Sequence, residues 1–115
     1  MNLIIRILLT AVAVVLLAYI LPGVEVSGFG AAIIVAIVLG LLNIFIKPIL
    51  VILTLPITVI TLGLFLLVIN ALIILMANSF IDGFTVSGFW IALLFSLLLS
   101  LLQSILFSVL KEDVN

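Results

Sequence analysis

The chain alternates between long apolar stretches and short polar breaks. Apolar residues run almost without interruption over 3–21, 29–50, 57–80 and 89–110. At about 1.5 Å per helical residue, each stretch approaches or exceeds the roughly 30 Å apolar core of a bilayer. The pattern therefore predicts an all-α membrane protein with four transmembrane helices.

A seven-residue phrase occurs twice, as Gly23-Val24-Glu25-Val26-Ser27-Gly28-Phe29 and, 60 residues later, as Gly83-Phe84-Thr85-Val86-Ser87-Gly88-Phe89. Each copy lies between two apolar stretches, which predicts two repeats of two helices, about 3–50 and 63–110. Both lie within a single membrane domain of residues 1–115. Because each repeat has an even number of spans, we expect parallel rather than inverted repeats.

The two copies of the phrase allow two local structures. Val24-Glu25-Val26 and Phe84-Thr85-Val86 alternate apolar and polar side chains, which is the period of a strand. They could pair across a pseudo-twofold axis as a small antiparallel ribbon. The simpler alternative, slightly favoured here, is a pair of turns in which Ser27 and Ser87 cap the following helices.

The connection between the two repeats contains two prolines. Pro48 is expected to kink or end the second helix, because proline lacks an N–H donor. The apolar segment Ile49–Leu55 is too short to cross a bilayer, so it is either an extension of that helix or a loop in the interface. Thr54 and Pro56 suit the start of the next helix.

Composition supports lipid as the solvent for most of the surface. Of the 115 residues, 70% are hydrophobic and 6% charged, whereas soluble domains are about 45–50% apolar and about 25% charged.

A signal peptide at 3–21 is the alternative for the first stretch, but the stretch lacks a small-residue cleavage site and has an internal counterpart.

Charge and residue types exclude several functions. The net charge of −1 provides no basic face for nucleic acid, and the chain has neither cysteine nor histidine. We expect no enzyme activity, no catalytic residues, no cofactor and no metal site. Glu25 and Asp82 could together bind a cation, but solvated loop charges are the more common case.

The basic residues predict the orientation in the membrane. Arg6, Lys47 and Lys111 all fall at the end of the predicted bundle away from the repeated phrase. Cytoplasmic loops and ends of membrane proteins carry the excess of Lys and Arg. The N- and C-termini are therefore predicted to be cytoplasmic.

Polar and small residues recur on one face of the second and fourth stretches. The set is Ala32, Ala36, Gly40 and Asn43, with Ala92, Ser96, Ser100 and Gln103 at the equivalent positions. One interpretation is that these two spans cross closely here, bringing Gly40 near Ser100 and joining Asn43 to Gln103 or to backbone. The other is that this face forms the wall of a polar path.

Asn70 is a further candidate, near the centre of the third stretch, with Thr10 as its counterpart in the first. A carboxamide at the bilayer centre needs partners, because an unsatisfied amide is costly in an apolar medium. A structural hydrogen bond and a contact with a substrate or ion are both possible. No charged residue lies at a predicted membrane centre, which argues against a proton-coupled pump.

Several short motifs resemble one bacterial family. They are Leu41-Leu42-Asn43, Lys47-Pro48, Leu53-Thr54-Leu55-Pro56, Thr61-Leu62-Gly63-Leu64-Phe65, Asn70, Asp82-Gly83-Phe84 and Gly88-Phe89. Over about residues 3–110 the chain resembles the four-span phage holin-like family, holin superfamily IV. The resemblance implies a small multi-pass protein of the bacterial cytoplasmic membrane. The family name implies holin activity, in which oligomers open lesions for an endolysin.

Three functions are compatible with these features. The first is a holin-like pore or permeability protein that works as a homo-oligomer. The second is a structural or adaptor protein that binds lipid or another membrane protein, and the third, less favoured, is a small dimeric transporter. The direction of Asn43, Asn70 and Gln103 separates the first two: toward a watery lumen for a pore, toward helix contacts for a scaffold.

Overall fold

The chain folds mostly into helices. The computed structural model describes residues 2–114, with side chains described for residues 2–109. In chain order the elements are α1 (Leu3–Ile20), β1 (Val24–Val26), α2 (Phe29–Phe45), α3 (Lys47–Leu53), α4 (Leu55–Ile60), α5 (Phe65–Phe80), β2 (Phe84–Val86) and α6 (Phe89–Val114). The last helix continues to Val114, beyond the apolar stretch that ends at residue 110.

Helices of membrane-spanning length confirm the prediction of a helical membrane protein. Three apolar helical segments are long enough to cross, namely Leu3–Ile20, Phe29–Leu53 and Phe89–Val109. The fourth, α5, is apolar but has 16 residues, which corresponds to about 24 Å. The first span ends one residue before the predicted boundary, where Leu21 takes an extended conformation ahead of Pro22.

The third apolar stretch does not form one helix from Ile57, so that predicted boundary is wrong. Leu62 and Gly63 adopt φ values of 56° and 90°, and α5 begins only at Phe65. The Thr61 hydroxyl donates to the Ile57 carbonyl at 2.9 Å and accepts the Phe65 N–H at 3.1 Å. Residues in the left-handed region end a right-handed helix, so a local turn sets the start of this span.

The segment after Pro48 continues the second span as a helix. Only Ile46 separates α2 from α3, and its φ and ψ of −92° and −42° lie near helical values. Pro48 has no N–H to donate to the carbonyl four residues earlier, which interrupts the hydrogen-bond ladder locally. Of the two alternatives for residues 49–55, the helical extension is the one observed, as far as Leu53.

The two copies of the repeated phrase meet at one end of the helices. β1 and β2 pair as a two-stranded antiparallel ribbon in which Glu25 lies opposite Thr85. Val24, Phe84 and Val86 are buried beneath it. A two-stranded ribbon is marginal by itself, so this burial against the helices is what stabilises the pairing.

Two further hydrogen bonds join the phrases reciprocally. The Ser27 N–H donates to the Gly83 carbonyl and the Ser87 N–H donates to the Gly23 carbonyl, each at 2.8 Å. The serine-capped turn is wrong for Ser27, because the N-cap of α2 is Gly28 and no side chain caps that helix end. The backbone N–H of Ser27 serves the ribbon instead.

Burial follows the same order in two segments of the chain. Residues 31–40 and 91–100 have an identical succession of buried, partly buried and exposed positions. The buried positions are Ala32, Val35, Ala36 and Leu39 in the first segment and Ala92, Phe95, Ser96 and Leu99 in the second. The two helices therefore present equivalent faces to the interior.

Neighbouring helices form a ring of four. α1 packs along α2 and α6, and α5 packs along α6 and α2. The second and fourth spans, α2 and α6, lie diagonally and do not pack along each other. The predicted close crossing of these two spans is therefore wrong.

Candidate functional site

A cavity of about 350 Å³ occupies the space between the four long helices. All four contribute to its wall. The polar and basic lining residues are Arg6, Thr10, Asn43, Lys47, Asn70, Ser96, Ser100 and Gln103, and the remainder are Gly40 and apolar residues. This volume lies within the range of small-molecule sites, about 300–1,000 Å³.

All six intramembrane candidates from the sequence line this cavity. They are Gly40, Asn43, Asn70, Ser96, Ser100 and Gln103. The structure also adds Thr10 and Phe107, which the sequence did not single out as site residues. The helical offset of four between Gln103 and Phe107 could have identified Phe107, whereas Thr10 was noted only as the counterpart of Asn70.

Exposure increases from the inner to the outer part of the cavity. Thr10 and Ser96 are buried, each 6% exposed, while Asn43 and Ser100 are exposed. The inner hydroxyl of Ser96 donates to the Leu93 carbonyl at 2.8 Å within its own helix. The cavity is therefore open near Asn43, at the end of the bundle away from the ribbon, and enclosed near Thr10 and Ser96.

Gly40 borders open space rather than a helix crossing. A Cβ built on Gly40 would meet no heavy atom within 4 Å, and Gly40 lies on the cavity wall. The predicted contact between Gly40 and Ser100 is therefore absent. Both residues face the cavity because the diagonal helices stay apart.

One hydrogen bond joins helices across the polar interior. The Gln103 Nε2 donates to Thr10 Oγ1 at 3.0 Å, linking α6 to α1. The predicted partner of Gln103 was Asn43 or backbone, and this prediction is wrong. The offset between the two copies of the phrase indicates which positions are equivalent, but it does not indicate which of these residues contact each other.

We expect the Thr10–Gln103 bond to contribute modestly to stability. A double-mutant cycle of Thr10→Val and Gln103→Leu should give a coupling energy of about 0.6–1.7 kcal/mol, typical of interhelical hydrogen bonds in membranes. Steric trapping in bicelles would measure the unfolding free energies. Ser104→Ala, at an exposed position of α6, is the matched control, and a coupling near zero would contradict the bond.

The amides of Asn43 and Asn70 line the cavity without a hydrogen-bond partner among the described residues. Among the described residues, Gln103 is the one cavity amide found in a side-chain hydrogen bond. No buried side-chain nitrogen or oxygen in the described part of the chain lacks a partner, so these two amides must be accessible. An amide without a partner in an apolar medium is costly, which makes water in the cavity the expected partner.

Two basic side chains border the open end. Arg6 from α1 and Lys47 from the start of α3 both line the cavity. The Arg6 guanidinium carbon lies 5.5 Å from the centroid of the Phe107 ring, within the range of a cation–π interaction. The side chain of Lys111, the third predicted topology residue, lies outside the described side chains.

The opposite end of the cavity is closed by packed apolar side chains. Phe95 is 0% exposed and Phe84 1%, and their ring centroids are 5.6 Å apart at an interplanar angle of 56°. Val14, Leu17 and Val35 belong to the same buried cluster. A single chain thus has a blind cavity between its helices, with an apolar layer between it and the ribbon.

The two carboxylates among the described side chains lie away from the cavity. Glu25 and Asp82 are exposed at the ribbon end, and neither lines the cavity. Within the described residues, no group of three or more acidic, histidine or cysteine side chains is placed to hold a metal ion. The chemistry of the cavity is that of amides, hydroxyls and two cations.

Comparisons with known proteins agree with this architecture. A family described as mycobacterial 4 TMS phage holin, superfamily IV, matches residues 1–105. The chain is 42% identical over 90 residues to the uncharacterized membrane protein YvlD of Bacillus subtilis (strain 168), covering 77% of this chain and 76% of YvlD.

A second relative is the uncharacterized protein SCO3922 of Streptomyces coelicolor, which is 48% identical over 66 residues, or 54% of this chain and 53% of the relative. No solved structure matches the chain at a significant level. The family match covers most of the chain, and the YvlD alignment covers about three quarters of both proteins. The resemblance seen in the motifs is confirmed, and the chain belongs to the family of four-span phage holins of superfamily IV.

Proposed function

We propose that the protein is a holin-like permeability protein of the bacterial cytoplasmic membrane, with the polar cavity as the entrance to its path. The observation that carries this proposal is the convergence of Asn43, Asn70 and Gln103 on one accessible cavity. Amides that served only to join helices would bond to one another or to backbone, and in the described structure Gln103 alone bonds across helices. A purely structural protein would not need the amides of Asn43 and Asn70 in this cavity.

The proposed orientation places the cavity entrance in the cytoplasm. Arg6 and Lys47 border that entrance, and α6, whose last turn contains Lys111, ends on the same side. The positive-inside rule then makes both termini cytoplasmic and the ribbon extracytoplasmic. In this orientation the path would start from the cytoplasm and be closed toward the outside.

We also infer that the fold consists of two parallel repeats, about 3–50 and 63–110, related by rotation about an axis along the membrane normal. The reciprocal hydrogen bonds of Ser27 and Ser87 support this inference, as does the identical order of burial in residues 31–40 and 91–100. Such an axis would pass through the middle of the ribbon and the cavity. A path along this axis would be lined by equivalent helix faces from both repeats.

A continuous path through the bundle requires a change from the closed conformation of a single chain. The apolar layer around Phe84 and Phe95 blocks the cavity toward the ribbon. We propose that association into a homo-oligomer separates the helices of each chain enough to breach this layer. Large exposed apolar side chains on every long helix offer surface for both lipid and further copies.

Inducible expression in a bacterium tests the function. The proposal predicts a fall in membrane potential and leakage of small ions that follow the level of inserted protein. Potential would be recorded with a voltage-sensitive dye, and insertion would be measured by fractionation and immunodetection. An unchanged potential at a high level of correctly inserted protein would refute the permeability function.

Filling the cavity should reduce permeability without unfolding the protein. Gly40→Leu would place a side chain in the open space beside Gly40, and we expect several-fold slower depolarisation. Stability should change by less than about 1 kcal/mol, because leucine has the higher helix propensity and its Cβ would meet no heavy atom within 4 Å. Gly30→Leu is the matched control: it lies on α2 with equally open space at its Cβ but away from the cavity. Equal effects of both variants would contradict a cavity path.

A further inference from the structure

We propose that the cavity entrance binds the phosphate headgroup of an anionic phospholipid. The groups that would hold it are Arg6 and Lys47 at the rim, with the Asn43 amide beside them; all three line the same cavity. This inference does not depend on the cavity conducting anything. It concerns a ligand at the entrance rather than a path through the bundle.

The rim has positive charge that described acidic side chains do not balance. Arg6 and Lys47 line the cavity, whereas Glu25 and Asp82 are exposed at the ribbon end, on the far side of the apolar core. Attraction between opposite charges strengthens where the surroundings have a low dielectric constant. Since no carboxylate among the described side chains lines the rim, the two cations there favour an anion.

The Arg6 side chain is held in place for such a contact. Its guanidinium carbon lies 5.5 Å from the centroid of the Phe107 ring. The planar guanidinium offers several N–H donors that match phosphate oxygens in a bidentate arrangement. Lys47 supplies a compact second charge, and the Asn43 amide supplies a neutral donor at the same wall.

The apolar residues at the entrance favour a lipid over a free phosphate ion. Leu3 and Ile44 line the cavity and are 69% and 66% exposed. An acyl chain can pack on these side chains while its headgroup reaches the two cations. Basic pockets between transmembrane helices on the cytoplasmic side are known to bind anionic headgroups. The depth of Arg6, one turn from the start of α1, matches the headgroup region.

A titration of the purified full-length protein in zwitterionic detergent tests the proposal. Phosphatidylglycerol, phosphatidylcholine of the same chain length, and inorganic phosphate would be added separately, and the rise in unfolding temperature would give an apparent affinity. We expect stabilisation by phosphatidylglycerol alone. Equal stabilisation by phosphatidylcholine, which has the same phosphate but no net charge, would show that the net negative charge of the lipid is not recognised. Equal stabilisation by inorganic phosphate would show that the acyl chains are not recognised. Either result would overturn the proposal.

Charge-removing variants locate the site. Arg6→Gln and Lys47→Gln should each weaken phosphatidylglycerol binding by about 5- to 10-fold, the effect of one basic residue near an anionic lipid. Tyr19→Glu lowers the net charge by the same amount at an exposed position near the ribbon end of α1, away from the cavity, and should change binding less than twofold. An equal loss in all three variants would mean that net charge sets binding, which would overturn the assignment to the cavity. A protein that binds lipid in this way yet leaves the membrane potential unchanged would refute only the permeability function.

Discussion

Replacing Phe95 with alanine is expected to lower the free energy of unfolding by about 2–3 kcal/mol and to increase ion leakage. Phe95 is fully buried and packs on Phe84 with ring centroids 5.6 Å apart. Large-to-small changes in water-soluble cores cost about 3–5 kcal/mol for phenylalanine. The expected value is lower because lipid, which is as apolar as the core, removes most of the transfer contribution and leaves the loss of packing.

Leakage should rise because the same side chain helps to close the cavity. Phe95 precedes Ser96, which lines the inner part of the cavity. Because Phe95 packs on Phe84 of β2, it lies between that part of the cavity and the ribbon. Removing the ring leaves a void in the apolar layer. Water can then reach further along the proposed path.

Steric trapping in bicelles and a dye-based leakage assay would measure the two effects. Leu97→Ala is the matched control, because Leu97 lies on the same helix and is 43% exposed; it should cost less than about 1 kcal/mol. Phe95→Leu restores most of the apolar volume and should recover most of the stability. A loss of stability without any change in leakage would mean that this layer does not close the path.

Gly23→Ala is expected to destabilise the protein by about 2–6 kcal/mol through two separate effects. Gly23 has a φ of 92°, which is strained for residues with a side chain, at a cost of about 1–3 kcal/mol. A Cβ at this position would also collide with the Ser87 hydroxyl oxygen of the other phrase and lie 3.2 Å from its Cβ. Overpacking of this kind adds about 1–3 kcal/mol.

Gly83→Ala separates the two effects. A Cβ on Gly83 would meet the Ser27 side chain and lie 3.1 Å from the Ala31 Cβ, but Gly83 is not among the positive-φ glycines. It should therefore show the collision without the strain and be the milder variant. Both would be measured by the same unfolding assay.

Removal of the opposing hydroxyl should rescue the two variants unequally. Ser27→Ala should restore most of the loss in Gly83→Ala, whereas Ser87→Ala should restore only part of the loss in Gly23→Ala, because the backbone strain remains. Gly28→Ala, with open space at its Cβ, serves as a control for a glycine of the same loop. Equal costs for Gly23→Ala and Gly83→Ala would contradict the role assigned to the positive φ.

The sequence was sufficient for the class of protein and for several helix boundaries. The first span was predicted to run from Leu3 to Leu21 and is observed as Leu3–Ile20, because Pro22 and Gly23 end it locally. The start of the third span was missed. Hydropathy continues through residues 57–80, but the turn at Leu62 and Gly63 depends on backbone angles that an apolar count does not contain.

The candidate residues could be found from the sequence, but their surroundings could not. Helical spacing correctly put Ala36, Gly40 and Asn43 on one face, since residues three and four apart are neighbours on a helix. All three line the cavity. Small residues on one helix face are compatible both with a close helix crossing and with the wall of a cavity. A specific contact, between Gly40 and Ser100, was predicted only for the crossing.

What this sequence by itself determined is the lipid environment, the helical class and which side chains share a helix face, because hydropathy and the 3.6-residue period are local properties of the chain. The tertiary structure decided which faces meet. It set α2 and α6 on a diagonal, paired Gln103 with Thr10, and left Gly40 beside open space. These outcomes depend on how four helices pack together in three dimensions, and the spacing along any one helix contains no information about its neighbours.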